Sequence, residues 1–100
     1  MIGTAFLLAA LQGSLMSYDD YPKEAVRRGW QGDVKVDLTI DTGGRVSACK
    51  VAESSGHSVL DVQTCKIFTQ RARFKPAVDD DGRTIQDHYV TSLKWRRLQR

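Results

Sequence analysis

The side chains in this 100-residue sequence that could take part in catalysis or bind a metal are Cys49, Cys65, His57, His88 and scattered aspartates. A cysteine and a histidine that meet in space can form a nucleophile–base pair, so an enzyme with a cysteine nucleophile is one hypothesis. The two cysteines explain each other more simply as a bonded pair. The short Cys and His spacings of zinc sites are absent, and so is a glycine-rich phosphate loop. The sequence therefore predicts a protein that is not an enzyme and has neither a metal site nor a cofactor.

The cysteine content indicates an oxidising compartment. Cys49 and Cys65 are the only two cysteines in the chain. A bond between them would remove about 3 kcal/mol of unfolded-chain entropy, which matters because a chain this short has a small core. Such bonds persist in oxidising compartments. We therefore expect a disulfide, the alternative being two buried thiols that pack as small apolar side chains.

The first residues differ in composition from the rest. Residues 2–11 are mostly apolar, and the first charged side chain is Asp19. A membrane-spanning helix needs about 20 apolar residues, so this run is too short to cross, but its length suits the core of a secretory signal. A flexible apolar arm or a misplaced start is the alternative. We expect residues 1–17 to be a signal-like or apolar leader and residues 18–100 to be one domain. The protein would then be exported to the periplasm or cell envelope, with membrane association only through an uncleaved leader.

The charge balance argues against nucleic acid as the partner. The formal net charge is +3, and 27% of the residues are charged. A mildly basic chain is only weakly attracted to anionic surfaces. Proteins that bind nucleic acid cluster their Lys and Arg residues, often beside aromatic side chains that stack on bases. No such tract occurs, so we expect no nucleic-acid binding.

The first half of the domain should contain a helix and a β-hairpin. Pro22 suits the first turn of a helix over residues 23–28. Residues 33–41 alternate between apolar and polar, the period of a strand with one buried face. Glycines in residues 42–44 suit a hairpin turn, and residues 45–52 form the returning strand. Its alternation changes phase, so we expect a bulge near residues 48–49.

The second half should contain a longer helix and a final strand. Ser58 is a candidate N-cap for a helix over residues 59–72. Its apolar stripe would be Leu60, Thr64, Ile67, Phe68 and Arg71. Residues 79–82 form an acidic turn, expected to be a solvated loop. Residues 86–98 alternate as a strand, with Tyr89, Thr91, Leu93 and Trp95 on one face. The order α-β-β-α-β predicts an α+β fold, a three-stranded antiparallel sheet with two helices on one face.

Short motifs follow one another in a fixed order along the chain. They are Tyr21-Pro22 with Ala25; Gly32, Val34 and Val36 running to Ile40 and Asp41; Gly44-Arg45-Val46; Val51; Ser54-Ser55-Gly56; Leu60-Asp61; Arg73-Phe74; Pro76-Ala77; and Trp95-Arg96. Each motif alone is weak, but the ordered set is specific. Over residues 21–98 the chain resembles the TonB C-terminal domain family of energy transducers, in a short stand-alone form.

The resemblance implies a periplasmic binding module in TonB-dependent transport across the outer membrane. Domains of this family capture a short peptide segment of an outer-membrane transporter as an extra strand beside the last strand of the sheet. The docking edge here would be residues 86–98, whose unpaired backbone groups a peptide can satisfy. The candidate contact residues on this strand are Gln86, His88, Val90, Ser92, Lys94 and Arg96.

Other roles for the same edge stay open. It could be a plain structural edge, or the domain could be a secreted structural or dimerising unit, forming a homodimer through that strand. Full transducers also carry a membrane helix and a long proline-rich span. Pro22 and Pro76 are the only prolines in this chain. We therefore expect peptide binding without the reach needed to transduce energy alone.

Overall fold

The computed structural model describes residues 6–7 and 18–96 of the chain. Its elements, in order, are β1 (Phe6–Leu7), a 3-10 turn (Tyr18–Asp20), α1 (Lys23–Arg28), β2 (Gly32–Ile40), β3 (Val46–Glu53), α2 (Ser58–Arg71), β4 (Phe74–Lys75), β5 (Ala77–Val78), β6 (Thr84–Ile85) and β7 (Asp87–Trp95). The predicted leader, apart from β1, lies outside the described residues, as do residues 97 and 98 of the predicted last strand. Of the helices in these ranges, none has the length and apolar character needed to span a bilayer.

β2 is the middle strand of a three-stranded antiparallel sheet. The strand order is β3-β2-β7, and both pairings are antiparallel, as predicted. The four apolar residues of the alternation are all 0% exposed on the inner face: Val34, Val36, Leu38 and Ile40. Residues from both main helices join them in one core, including Ala25 of α1 and Phe68 of α2. The predicted fold class is confirmed, with β2 beginning and ending one residue earlier than expected.

Two bulges interrupt β3. The extra residues are Ser47 and Ala52, neither of which has a counterpart in the β2 register. The bulge predicted near residues 48–49 is present at the adjacent Ser47, whereas Ala48 and Cys49 themselves pair in register. An extra residue at Ser47 turns Val46 and Cys49 toward the same inner face. The phase change seen in the sequence is therefore real, but it occurs one residue earlier.

The start of α2 is held by its first-turn carboxylate. The N-cap is His57, and Ser58, predicted as the cap, is the first helical residue instead. Asp61 accepts hydrogen bonds from the Ser55 amide at 3.0 Å and from the hydroxyls of Ser54 and Ser55. Burial raises the pKa of Asp61, but these hydrogen bonds outweigh it and leave the pKa below its usual value. Hydrogen bonds from the loop residues Ser54 and Ser55 to Asp61 thus fix the start of α2, where the side chain of the N-cap His57 makes no capping hydrogen bond.

The buried stripe of α2 matches the predicted one except at its end. Leu60, Thr64, Ile67 and Phe68 are buried. Arg71 instead keeps 44% of its side chain exposed and donates two 2.6 Å hydrogen bonds to the carboxylate of Asp20, which is 7% exposed. The hydrogen bonds with Asp20 raise the pKa of Arg71. This bidentate pair fastens the 3-10 turn to α2.

A disulfide fastens the other side of α2. Cys49 and Cys65 are bonded across 16 residues, with their Cα atoms 5.6 Å apart. Cys49 lies on the inner face of β3 and Cys65 on α2, so the bond staples helix to sheet. The pairing expected from the cysteine content is present in the structure.

Two hairpin turns use the same chemistry. Asp41 Oδ1 accepts the amides of Gly43 and Arg45, each at 2.9 Å. In the turn joining β5 to β6, Asp79 Oδ1 accepts the amides of residues 81 and 83 at the same distance. The predicted acidic loop is therefore the turn of a short hairpin. Strands β4, β5 and β6 were missed, because two residues are too few to show a period.

Gly44 allows the first hairpin to pack against β4, and replacing it with alanine should destabilise the domain. Its φ is +84°, and an added Cβ would lie 2.2 Å from the Phe74 carbonyl oxygen. We expect Gly44→Ala to lower the free energy of unfolding by about 2–3 kcal/mol, through left-handed strain and displacement of β4. The measurement is urea denaturation followed by circular dichroism.

Gly43→Ala is the matched control. Its Cβ would meet nothing nearer than an Asp41 carboxylate oxygen at 3.4 Å. This variant should stay within about 0.5 kcal/mol of the parent protein. Equal losses from the two variants would show that the approach of Phe74 to the hairpin contributes nothing.

Candidate functional site at the edge of the sheet

β7 forms one edge of the main sheet. It pairs with β2 without interruption from Gly32↔Trp95 to Ile40↔Asp87. Among the described residues, no strand pairs with its other side. In an antiparallel sheet, every second residue of an edge strand turns its N–H and C=O groups away from its neighbour. β7 therefore offers a row of backbone donors and acceptors to another extended chain.

The side chains of β7 alternate between two surfaces. Tyr89, Thr91 and Leu93 are half-buried on the inner face, and Trp95 is fully buried. The exposed residues on the outer face are His88, Val90, Ser92 and Lys94. This is the division that the sequence pattern predicted for the strand.

The described strand is shorter than the predicted one. It runs from Asp87 to Trp95, against a prediction of residues 86–98, of which 97 and 98 lie outside the described residues. Gln86 lies between β6 and β7, and Arg96 lies just beyond the strand. Both are exposed, and because they lie outside the strand they flank the edge rather than form part of it.

Exposed polar contacts cross the outer face of the sheet. Arg96 forms an ion pair with Asp33 at 2.8 Å, and His88 Nδ1 lies within hydrogen-bond distance, 3.3 Å, of Asp37 Oδ1. An exposed ion pair such as Arg96–Asp33 contributes about 0.2–1 kcal/mol, so the side chains on this face can rearrange at small cost. Lys94 makes no ion pair within residues 18–96. Its side chain is exposed on the outer face of β7.

The far end of β7 is anchored in the core through Trp95. Its indole Nε1 donates to Thr64 Oγ1 at 2.8 Å, and Thr64 donates to the Leu60 carbonyl at 2.7 Å. The Tyr21 ring meets the indole edge-on, with the centroids 5.1 Å apart. Tyr21 in turn donates its hydroxyl to the Trp30 carbonyl. The sequence pattern predicted Trp95 on the inner face. It could not predict the hydrogen bond from Trp95 to Thr64, because the two residues lie 31 positions apart in the chain.

The opposite edge of the sheet is irregular. β3 carries the two bulges at Ser47 and Ala52. Bulges on an edge strand disturb its twist and its ladder, and so discourage pairing with another chain. β7 is therefore the more regular of the two edges, and the one whose backbone is better arranged to pair with another strand.

A known protein family matches most of the chain. Residues 17–96 match the family described as the Gram-negative bacterial TonB protein C-terminal. The chain belongs to this family. The match runs from the residue before the 3-10 turn to the residue after β7, so it includes the whole edge described above. The resemblance inferred from the ordered motifs is confirmed.

Relatives of this TonB C-terminal domain are longer proteins. The chain is 32% identical over 73 residues to Protein TonB of Helicobacter pylori, covering 73% of this chain and 26% of that protein. It is 37% identical over 62 residues to Protein tonB2 of Pseudomonas aeruginosa, covering 62% of this chain and 23% of that protein. The chain thus spans about a quarter of the length of the curated relatives it matches.

The remaining chemical candidates of this TonB C-terminal domain have structural partners. Cys49 and Cys65 are bonded to each other, so neither offers a thiolate to a histidine. The ring of His57 stacks on Trp30 at 4.6 Å, and the Arg28 guanidinium lies 5.5 Å from the Trp30 centroid. This surface stack was missed, because its members lie on opposite sides of the β-hairpin in sequence.

Proposed function

We propose that this domain is a periplasmic peptide-binding module of TonB-dependent transport. It captures an extended segment of an outer-membrane transporter by adding it as a fourth strand beside β7. The chain binds rather than catalyses, and its part in energy transduction is to hold the transporter segment.

The observation that carries the proposal is the regular edge of β7, whose outer side pairs with no other strand among the described residues. Nine residues, Asp87 to Trp95, keep one register with β2, so a second chain meets an unbroken ladder. Backbone pairing supplies affinity in strand addition, and alternate side chains supply specificity. Anchoring through Trp95 supports the role, because a preorganised strand loses little entropy on binding.

The family and the named relatives support the transport context. The proteins named TonB and tonB2 match this chain over 73 and 62 residues respectively. An exported location fits the disulfide, since such bonds persist in oxidising compartments. The predicted contact residues, Gln86, His88, Val90, Ser92, Lys94 and Arg96, fit the proposal as the strand's exposed face and its two flanks.

The proposal predicts that peptide backbone amides, and not side chains alone, determine affinity. The domain would be titrated with synthetic peptides from the N-terminal segments of TonB-dependent outer-membrane transporters, while backbone amide shifts are recorded by NMR. We expect shifts to concentrate on β7. N-methylation of three alternate peptide amides that face β7 should weaken binding roughly a hundredfold, because each hydrogen bond contributes about 1 kcal/mol.

N-methylation of the other three alternate amides is the matched control. Those amides face solvent in an added strand, so affinity should change little. Equal effects of the two methylation patterns, or shifts that avoid β7, would reject strand addition. Sedimentation of the free domain addresses the dimerising alternative, since self-pairing through β7 would make the mass depend on concentration and compete with the peptide.

A further inference from the structure

Three cations share one face of β4 and of the hairpin beside it. Arg45 and Arg73 are partners in an antiparallel bridge, so their side chains lie on the same face. Lys75 lies two residues beyond Arg73 and returns to that face, whereas the intervening Phe74 is buried in the core. Arg45, Arg73 and Lys75 are called the basic cluster below.

The basic cluster has no ion pair to balance its charge. Like charges directly opposite one another in a sheet are destabilising. Arg45, Arg73 and Lys75 form no ion pair within residues 18–96. Asp41 uses its Oδ1 atom to accept the turn amides of Gly43 and Arg45. Because Arg45 and Lys75 are exposed and Arg73 is half-buried, an anionic ligand can reach the cluster from solvent.

An apolar segment of the chain lies against the strand that carries these cations. β1 pairs with β4 through Phe6↔Lys75 and Leu7↔Phe74. Both β1 residues belong to the mostly apolar run of residues 2–11. Apolar segments and basic clusters act together at anionic membranes, because the first enters the lipid and the second binds the headgroups. This combination favours a lipid surface over a soluble polyanion, which offers nothing to an apolar segment.

The basic cluster and the β7 edge lie on different sides of the sheet. β4 adjoins β3 through the Arg45↔Arg73 bridge, and β3 and β7 flank β2 on opposite sides. Contact with a membrane at the basic cluster would therefore leave the outer side of β7 open to another chain.

We infer that the basic cluster binds the phosphates of anionic phospholipids and, with the apolar segment that contains β1, holds the domain at a membrane surface. The guanidinium groups of Arg45 and Arg73 can donate paired hydrogen bonds to phosphate oxygens, and Lys75 adds a third charge. Bound phosphates also relieve the repulsion between the two arginines. This binding is additional to strand addition at β7, and neither activity requires the other.

The first test measures binding of the full chain to phospholipid vesicles by cosedimentation. Vesicles of phosphatidylcholine with about one third phosphatidylglycerol would be compared with vesicles of phosphatidylcholine alone, and we expect tighter binding to the anionic ones. Arg45→Gln/Arg73→Gln/Lys75→Gln should weaken that binding about a hundredfold, since each cation near an anionic surface contributes about fivefold. Raising NaCl from about 0.1 M to about 0.5 M should remove most of the preference of the parent protein.

The matched control removes three cations from the helices. Lys23→Gln/Arg27→Gln/Lys66→Gln makes the same change in net charge at exposed positions of α1 and α2. This variant should keep the preference for anionic vesicles. Equal weakening in the two triple variants would show that net charge alone attracts the chain to lipid, and would overturn the site. Equal binding of the parent protein to both vesicle types would overturn it as well.

A single variant separates binding from folding. Arg73→Gln removes one of two opposed like charges, so its midpoint in urea should equal or exceed that of the parent, while binding to anionic vesicles falls about fivefold. A lower midpoint with unchanged vesicle binding would give Arg73 a structural role and overturn its part in the site.

A soluble polyanion tests the assignment to lipid. Dextran sulfate, supplied at the same concentration of charge as the vesicles, should bind the parent protein more weakly than the vesicles do. Equally tight binding that the cluster variant abolishes would identify a general polyanion site and overturn the lipid surface as the ligand. Strand addition is measured separately by peptide-induced shifts on β7, so loss of vesicle binding would leave that proposal standing.

Discussion

Replacing Trp95 with alanine is expected to lower the free energy of unfolding by about 3–5 kcal/mol. The indole is 0% exposed and is one of the largest fully buried side chains among the described residues. Its removal opens a cavity between β7 and α2 and deletes the donor to Thr64 Oγ1. It also removes the ring that meets Tyr21 edge-on. A domain of this size has about 5–15 kcal/mol in total, so Trp95→Ala should leave it marginally folded.

Trp95→Phe separates the ring from its N–H group. The phenyl ring keeps most of the packing with Tyr21 but donates nothing to Thr64, so we expect a loss of about 1–2 kcal/mol. Urea denaturation followed by far-UV circular dichroism measures both variants. Should Trp95→Ala cost less than about 1 kcal/mol, the indole would not be the anchor of β7.

The same contacts show what sequence can and cannot predict here. The strict alternation in β2 comes from burial of one face, so the residues of its core could be assigned before the structure. The partner of Asp20, by contrast, lies 51 residues away at Arg71. No local period connects two such positions, and the pattern treated Arg71 as the end of an apolar stripe. Long-range polar contacts of this kind depend on how the elements pack.

The predicted start of α2 was displaced by one residue, because contacts between the preceding loop and the helix are not visible in the sequence pattern. Ser58 is a residue type that commonly caps helices, but in the structure it is already the first residue of α2. The loop residues Ser54 and Ser55 donate hydrogen bonds to Asp61 in the first turn instead. For the candidate site, the faces of β7 could be predicted from alternation. Its regular edge could not, because the bulges that distinguish β3 from β7 appear only when both are aligned on β2.

Removing the disulfide is the second change with a large expected effect. The double variant Cys49→Ala/Cys65→Ala should lose about 3 kcal/mol of stability, since closing a loop of 16 residues restricts the unfolded chain. Alanine is preferred to serine because the inner face of β3 would otherwise bury a hydroxyl. Denaturation of the parent protein with and without dithiothreitol gives the same comparison. The double variant, having no disulfide, should not respond to the reductant.

Peptide affinity should not follow this loss of stability. The bond joins α2 to β3, and β7 pairs with β2 on the opposite side of the sheet. Under conditions where the double variant remains folded, we expect its affinity for a transporter peptide to stay within about twofold of the parent. A parallel fall in affinity and stability would mean that the position of α2 controls the β7 edge. Unchanged affinity in a protein about 3 kcal/mol less stable would assign the staple to folding and the edge to binding.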